Sequence, residues 1–191
     1  MANFTDDIKQ CLKVLNSGGI ILYPTDTIWG IGCDATNEKA VNKIFKLKQR
    51  TETKSMIILL SDLNNISNYV TRPDPEIINY LSKTSRPTTA IYKSGKSVTP
   101  QLINNDGTIA IRIVQDEFCK ALINEFKKPI VSTSANISGS SPPKGFNEIS
   151  TEIKNGVDYI VQHRQDEDFK VARPSAIIRI NDKGKIEELR S

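Results

Sequence analysis

The feature that most constrains the fold of this 191-residue chain is an unbroken apolar run at residues 19–23. Gly18 and Gly19 separate this run from the preceding segment and Pro24 ends it, so it has the length of a strand. An apolar run without alternating polar residues is typical of a strand covered on both faces. We therefore expect a buried strand here. The following segment, residues 24–32 with Thr25-Asp26-Thr27, is then expected to be a loop at its carboxyl end.

Helical and strand patterns alternate along the rest of the chain. Apolar residues recur with helical spacing at 5–17 and 38–49, and near 62–69, 75–81, 118–126 and 147–154. Strand patterns lie at 55–60, 88–92, 109–113, 129–133, 159–162, 176–180 and 185–189. This alternation predicts a mixed α/β fold, a twisted mixed β-sheet with flanking helices, in one domain over residues 1–191. The Ser-, Pro- and Gly-rich loop at 138–145 is a candidate for a mobile flap.

Composition excludes several classes of protein. The apolar runs are far shorter than the roughly 20 residues that span a bilayer, and the acidic N-terminus has no signal-peptide pattern, so we expect a cytoplasmic protein. Three scattered cysteines without a C-x-x-C pair argue against a disulfide framework and a zinc site, and favour reduced, partly buried thiols. A single histidine, His163, excludes a centre of several imidazoles.

Three polar clusters lie at strand or helix ends, where functional residues are often held. Thr25-Asp26-Thr27 suits either a turn or a ligand, and Ser132 to Ser138 offers hydroxyls and an amide for either purpose. Lys46, Lys48, Arg50 and Lys54 could bind a triphosphate or RNA, or could offset the negative end of a helix dipole. The net charge of +4 is compatible with anionic ligands, and equally with an ordinary solvated surface.

Five motifs together carry a resemblance to a known family. They are the segment 23–32 (YPTDTIWGIG), Lys48-x-Arg50, Arg86-Pro87-Thr88-Thr89, the segment 109–112 (IAIR) and the segment 132–139 (STSANISG). In this order, from end to end, they resemble the YrdC-type L-threonylcarbamoyladenylate synthase family in its single-domain form. The resemblance implies a large basic concave cavity. It also implies an ATP-dependent nucleotidyltransferase that forms threonylcarbamoyl-AMP and pyrophosphate from L-threonine, bicarbonate or CO2, and ATP, for N6-threonylcarbamoyladenosine (t6A) in tRNA.

The same resemblance implies roles for particular residues. Lys48 and Arg50 would be catalytic, and the residues around ATP would be Lys48, Arg50, Lys54, Thr89, Asn136, Lys144 and Arg190. Threonine would be held by Thr27, Ser134, Arg112 and Ser175. Mg²⁺ would be bound through the ATP phosphates, with no metal site on the protein. The product would reach tRNA indirectly, through the threonylcarbamoyl transferase. Leu59 stands where many members have a histidine, so the threonine contact of that imidazole is not expected here.

Two other functions compete with this interpretation. A non-enzymatic module that binds double-stranded RNA or tRNA could use the basic residues, with Tyr23, Trp29 and Phe45 as stacking groups. Tyr23 lies in an apolar strand and Phe45 in the apolar stripe of a helix, so core packing is the expectation for both. A carbamoyl-transfer module like those of hydrogenase-maturation proteins would need further segments that 191 residues do not hold.

Overall fold

The computed structural model of the chain describes residues 4–49, 56–167 and 174–191. Within these ranges it has the helices α1 (Thr5–Asn16), α2 (Glu38–Leu47), α3 (Pro75–Lys83), α4 (Glu117–Phe126) and α5 (Thr151–Asn155). Its strands are β1 (Ile21–Tyr23), β2 (Gly30–Gly32), β3 (Ile57–Leu60), β4 (Thr88–Tyr92), β5 (Ile109–Ile113), β6 (Ile130–Ser134), β7 (Tyr159–Ile160), β8 (Ala176–Ile180) and β9 (Ile186–Arg190). Short 3-10 helices cover Leu63–Asn68, Pro100–Leu102 and Phe146–Glu148.

The strands of the described residues form one mixed sheet, in the order β7-β1-β2-β6-β3-β5-β4-β8-β9. The pairs β1–β7, β3–β5 and β4–β8 are parallel, and the other neighbouring pairs are antiparallel. This arrangement confirms the mixed α/β fold expected from the sequence. β1 is buried at all three residues and has a partner on each side, as its apolar run predicts.

The helices form where apolar residues recur on one face and a polar side chain closes the first turn. In α2, the Asn37 side chain accepts a hydrogen bond from the Ala40 backbone N–H at 3.1 Å and so caps the helix. Its buried face carries Val41, Ile44 and Phe45. The helix ends at Leu47, two residues earlier than expected, because Gln49 adopts a left-handed backbone with φ of 50°.

The segment expected to be a loop contains a strand instead. Residues 24–32 are not all loop, because Gly30–Gly32 form β2, which pairs with β1 as an antiparallel hairpin. The strand is not indicated by strand propensity, because two of its three residues are glycine, which is depleted in strands. The fold nevertheless needs Gly32, because a Cβ there would lie 2.7 Å from both the Tyr23 ring and the Val131 carbonyl oxygen. Thr25-Asp26-Thr27 therefore belongs to the connection between two paired strands.

The helix expected at residues 147–154 is divided into two pieces. A 3-10 turn at Phe146–Glu148 is followed by Ser150, whose hydroxyl accepts from the Ile153 N–H at 3.4 Å and begins α5. A capping serine starts a new helix more readily than it continues an old one. The division leaves Phe146 packed against Trp29, with ring centroids 5.0 Å apart.

The core contains the aromatic side chains that an RNA-binding surface would have exposed. Tyr23, Trp29 and Phe45 are between 0% and 5% exposed, so they are packed in the core and cannot stack on a base at the surface. The His163 ring packs against those of Phe4 and Phe118, at centroid distances of 5.2 and 5.9 Å. Among the described residues, no helix is long and apolar enough to cross a membrane.

The three cysteines should be chemically silent in the native protein. Cys11, Cys33 and Cys119 are free and at most 1% exposed, and burial raises the pKa of each thiol well above its usual value. Since the thiolate is the reactive form, we expect a disulfide reagent at pH 8 to label almost no thiol in the folded protein. The same assay in guanidinium chloride should titrate all three. Rapid labelling of a native thiol would contradict this burial.

Candidate active site

A cavity lies over one face of the sheet, at its middle strands. Residues paired across neighbouring strands share a face, and the register aligns Leu59 with Arg112 and Arg112 with Thr89. On the same face, Ser132 of β6 pairs with Ile57 of β3. The cavity has a volume of about 220 Å³ and is lined by Thr25, Thr27, Ile28, Trp29, Gly30, Met56, Ile57, Arg112, Ser132, Thr133, Ser134, Pro142, Pro174, Ser175 and Arg190.

The β1–β2 connection forms one wall and is braced by a threonine hydroxyl. The Oγ1 of Thr25 accepts from the backbone N–H groups of Thr27 and Ile28 at 3.1 and 3.3 Å, and donates to the Ile28 carbonyl at 2.8 Å. It also lies 3.0 Å from the Thr27 hydroxyl. Thr25 therefore makes the turn, as its residue type favours, while Thr27 lies within that turn against the cavity. The turn expected for this cluster is confirmed, and a ligand contact of Thr27 stays a prediction.

Arg112 of β5 joins the sheet to the β1–β2 connection. Its guanidinium is buried, with Nη2 3.1 Å from the Asp26 carboxylate and Nη1 donating to the Thr27 hydroxyl at 3.1 Å. The pair is almost completely withdrawn from water, with side-chain exposures of 4% for Arg112 and 9% for Asp26. Within the described residues, the Nε–H of Arg112 is buried without a partner. Arg112 thus determines the position of the Thr27 hydroxyl.

A second hydrogen-bonded group begins on β4, the strand next to Arg112. The Thr89 and Ser175 hydroxyls are 2.8 Å apart, and Arg190 donates from Nε and Nη2 to the Ser175 carbonyl at 3.0 and 2.7 Å. Burial and the positive charge of Arg112 lower the pKa of Arg190. No carboxylate of the described chain lies within 4.0 Å of Arg190. Asp26 balances the charge of Arg112, whereas Arg190 has no counter-charge among the described residues, so the cavity lining favours an anionic ligand.

Lys48 is turned towards the protein backbone. The side chain is 1% exposed, and its ammonium donates to the carbonyls of Ser134 and Asn136, immediately after β6. The Lys48 carbonyl in turn accepts from the Ser138 N–H at 2.9 Å. Lys48 is not among the residues that line the cavity. Its contacts make it a brace for the end of β6, which carries Ser134 into the cavity.

The candidate flap reaches the cavity through one residue. Pro142 lines the cavity, whereas Lys144 is exposed and its backbone N–H donates to Glu148 at 2.8 Å. The Asn136 amide donates to the Ile137 and Ser140 carbonyls at 3.0 and 2.6 Å, which ties the start of the flap to β6. The buried Oδ1 of Asn136 has no partner among the described residues.

The structure brings together only part of the set of residues proposed from the sequence. Thr27, Ser134, Arg112, Ser175 and Arg190 line the cavity, and Thr89 supports it through Ser175. Lys48 and Asn136 contact the end of β6, and Lys144 is exposed on the flap. Arg50 and Lys54 lie outside the described residues. Leu59 is fully buried beside Arg112 and offers an apolar side chain where the family histidine was considered.

Sequence reasoning missed the buried partner of Arg112. The sequence indicates Asp26 only as part of a polar cluster. Nothing in a sequence shows that a carboxylate and a guanidinium 86 positions apart will pair. It also missed the apolar lining supplied by Met56, Pro142 and Pro174. Ser132, by contrast, belongs to the polar cluster that the sequence indicated, and the alternation of β6 puts it on the same face as Ser134.

Comparison with known proteins agrees with this geometry. A family model for Sua5, YciO and YrdC, described as "Telomere recombination", matches residues 13–191. A protein of Idiomarina loihiensis named threonylcarbamoyl-AMP synthase is 36% identical over 148 residues, covering 75% of this chain and 78% of that protein. A protein of the same name from Photobacterium profundum is 31% identical over 160 residues, covering 82% of this chain and 86% of that protein.

The fold is also found among solved structures. Sua5 of P. abyssi, crystallised with L-threonine, superposes with a TM-score of 0.82 at 22% identity. The match covers 90% of this chain and 50% of Sua5, so the chain spans about half the length of that protein. At this identity the likeness concerns the fold.

Removing the charge of Asp26 should destabilise the protein strongly. Asp26→Asn would leave the buried Arg112 without its counter-charge, and we expect the free energy of unfolding to fall by about 3 kcal/mol. Glu188→Gln, which removes the charge of the exposed Arg86–Glu188 pair, should cost less than about 1 kcal/mol. Urea denaturation of both variants measures the difference, and equal losses would contradict the structural weight given to the buried pair.

Proposed function

The chain belongs to the family of Sua5, YciO and YrdC, and on that basis we propose that it is a threonylcarbamoyl-AMP synthase. The single observation that carries the proposal is the cavity, where the buried Arg112 donates to the Thr27 hydroxyl and a second arginine, Arg190, has no carboxylate partner among the described residues. An amino acid and a nucleoside triphosphate are ligands that such a lining would bind. The names of the two bacterial relatives support the same activity.

In this proposal L-threonine occupies the end of the cavity beside the β1–β2 connection. The hydroxyls of Thr27 and Ser134 and the guanidinium of Arg112 line that end and supply donors for a carboxylate and a hydroxyl. Ile28 and Met56 provide apolar surface in the same lining. A site built to hydrogen-bond a hydroxyl rejects analogues that lack it more strongly than a pocket can reject a missing methyl group.

ATP would lie towards Arg190. Ser175, which the family resemblance assigned to threonine, is hydrogen-bonded to Thr89 and Arg190, so we group it with the ATP-binding residues. The positive charge of Arg190 would offset the negative charge of phosphate oxygens. Arg50, Lys54, Asn136 and Lys144 are retained from the family resemblance as further ATP-binding residues, and Arg50 as a catalytic one.

The chemistry requires two anions to be brought together. The amine nitrogen of threonine bonds to the carbon of CO2 and loses a proton, which gives a carbamate. A carbamate oxygen then bonds to the α-phosphorus of ATP as the bond to the pyrophosphate oxygen breaks. Arg112 and Arg190, which both line the cavity, would hold the carboxylate and the phosphates in position and offset their repulsion.

Lys48 has a different role in this proposal from the catalytic one first expected. Because its ammonium donates to the Ser134 and Asn136 carbonyls, it would hold the strand end that carries the Ser134 hydroxyl. Its contribution to the reaction is then positional. Charge stabilisation at the phosphates would come from Arg190 and from Arg50.

Magnesium would enter bound to ATP. Mg²⁺ prefers oxygen ligands and commonly bridges phosphates while keeping several waters. Ser132 and Ser134 line the cavity from one face of β6, and their hydroxyl oxygens are ligands that fit an ion held mainly by phosphates. Bound in this way, the ion would neutralise charge on the phosphate oxygens during transfer.

The product would serve tRNA modification in the cytoplasm. Threonylcarbamoyl-AMP is a mixed anhydride, and its threonylcarbamoyl group would be passed by a threonylcarbamoyl transferase to adenosine in tRNA. Direct RNA binding as the whole function is disfavoured, because Tyr23, Trp29 and Phe45 are buried and cannot stack on bases.

The proposal is tested by the products of the purified protein. Incubation with ATP, Mg²⁺, labelled bicarbonate and L-threonine should give pyrophosphate and a labelled adenylate in equal amounts. We expect serine, which lacks one methyl group, to react about tenfold less efficiently, and valine, which lacks the hydroxyl, to be rejected more strongly. Threonine-independent pyrophosphate release, or no labelled adenylate with any amino acid, would contradict the activity.

Thr27→Val tests the threonine end of the cavity. Valine keeps the shape but removes the hydroxyl that Arg112 orients, so the KM for threonine should rise roughly 10- to 100-fold, with little change in the KM for ATP. Thr71→Val is the control for loss of a threonine hydroxyl, because the Thr71 hydroxyl donates to the Ser94 carbonyl at 3.3 Å but is exposed and away from the cavity lining. Equal effects of the two changes would exclude Thr27 from the threonine site.

A further inference from the structure

The β1–β2 connection is held from a second direction, by residues that do not line the cavity. Arg112 contacts the side chains of Asp26 and Thr27, whereas the backbone carbonyls of Pro24 and Thr25 contact other elements. Cys119 of α4 lies with its Sγ 3.4 Å from the Pro24 carbonyl. Arg164 donates from Nη1 to the Thr25 carbonyl at 3.3 Å. The connection is therefore clamped between the sheet and a support at the start of α4.

Arg164 joins three groups through one guanidinium. Besides the Thr25 carbonyl, Nη1 contacts Asp116 Oδ2 at 2.8 Å, and Nε contacts Glu167 Oε2 at 2.6 Å. The other oxygen of Asp116 accepts from the Cys119 N–H at 2.8 Å and caps α4. The Arg164–Asp116 pair is largely withdrawn from water, with side-chain exposures of 18% and 12%. Such a rigid fork suits an arginine better than a lysine.

The backbone that presents Arg164 is itself held in an unfavourable conformation. Arg164 has a left-handed φ of 67°, which residues with a Cβ adopt at a cost. The buried Asp7 of α1 accepts from the backbone N–H groups of Gln162 and His163, both at 2.9 Å, and fixes the turn. Packing of the His163 ring on Phe118 of α4 adds to this. Strain of this kind persists only where the surroundings determine it.

We propose that Arg164 is a positioning residue that sets the place of the Thr25–Thr27 connection and, through it, the Thr27 hydroxyl in the cavity. The Thr25 carbonyl belongs to the same residue whose hydroxyl organises the turn. Displacing that carbonyl moves the turn, the Asp26 carboxylate and the Thr27 hydroxyl together. Arg164 thus links the start of α4 and the Asp7-bound turn to the threonine end of the cavity. The consequence for catalysis rests on the proposed function.

Hydrogen exchange tests the structural step without any substrate. The N–H groups of Thr27 and Ile28 donate to Thr25 Oγ1, so they report whether the turn is formed. In Arg164→Met we expect these two amides to exchange at least about tenfold faster, while the amide of Ile111 in the middle of β5 is unchanged. Arg179→Met, which removes an exposed arginine paired with Glu187, is the control and should change neither.

Two outcomes would overturn the proposal. Unchanged exchange at Thr27 and Ile28 would show that Arg164 does not hold the turn, and equal acceleration at Ile111 would show a general loss of stability. If Arg164→Met does not fold, Arg164→Lys and Asp116→Asn answer the same question. Lysine keeps the charge without the fork, and asparagine keeps an oxygen for the helix cap without the charge.

Kinetics tests the catalytic step. Arg164→Lys should raise the KM for threonine about tenfold while the KM for ATP stays within about twofold, which a merely structural loss of active protein would not do. Equal changes in both constants would contradict positioning of the threonine end. Absence of adenylate formation by the unmodified protein would refute the proposed function, whereas the exchange measurement would still decide the role of Arg164.

Discussion

A guanidinium group stays protonated in a protein, so an arginine that is buried on folding needs a negatively charged partner in the folded state. Arg112 finds that partner in Asp26, on a connection 86 positions earlier in the chain, and the two side chains are almost free of water. The rest of the cavity depends on this pair. It joins β5 to the β1–β2 hairpin, orients Thr27 and leaves Arg190 as the cavity charge without a described counter-ion.

Two buried or half-buried cations, Lys48 and Arg164, position the cavity lining by donating hydrogen bonds to backbone carbonyls. Lys48 holds the carbonyls after β6, and Arg164 holds a carbonyl between β1 and β2, so two cations act on main-chain groups. Hydrogen bonds from charged donors are stronger than neutral ones, which suits them to fixing loops at a site. These contacts fix the cavity wall beside Thr27 and Ser134. Pro142 of the flap also lines the cavity.

The fold could be predicted largely from local patterns, because buried helix faces and apolar strand runs follow from residue spacing. β2 and the divided helix at 146–155 are the clearest differences; the two glycines of β2 lower strand propensity, while the close approach to Tyr23 requires one of them. The site was less predictable. Motif resemblance identified Thr27, Arg112, Ser134, Ser175 and Arg190, all of which line the cavity. The Asp26–Arg112 pair and the Arg164 support depend on distant contacts that no local pattern shows.

The central claim is that one cavity holds both reactants, with threonine beside Thr27 and Arg112 and the phosphates towards Arg190. A crystal structure with L-threonine and a non-hydrolysable ATP analogue tests this most directly. The account predicts that the carboxylate or hydroxyl of threonine lies within hydrogen-bonding distance of Thr27 or Arg112, and that the α-phosphate faces the threonine amine. A nucleotide bound outside this cavity, or threonine without contact to either residue, would contradict it.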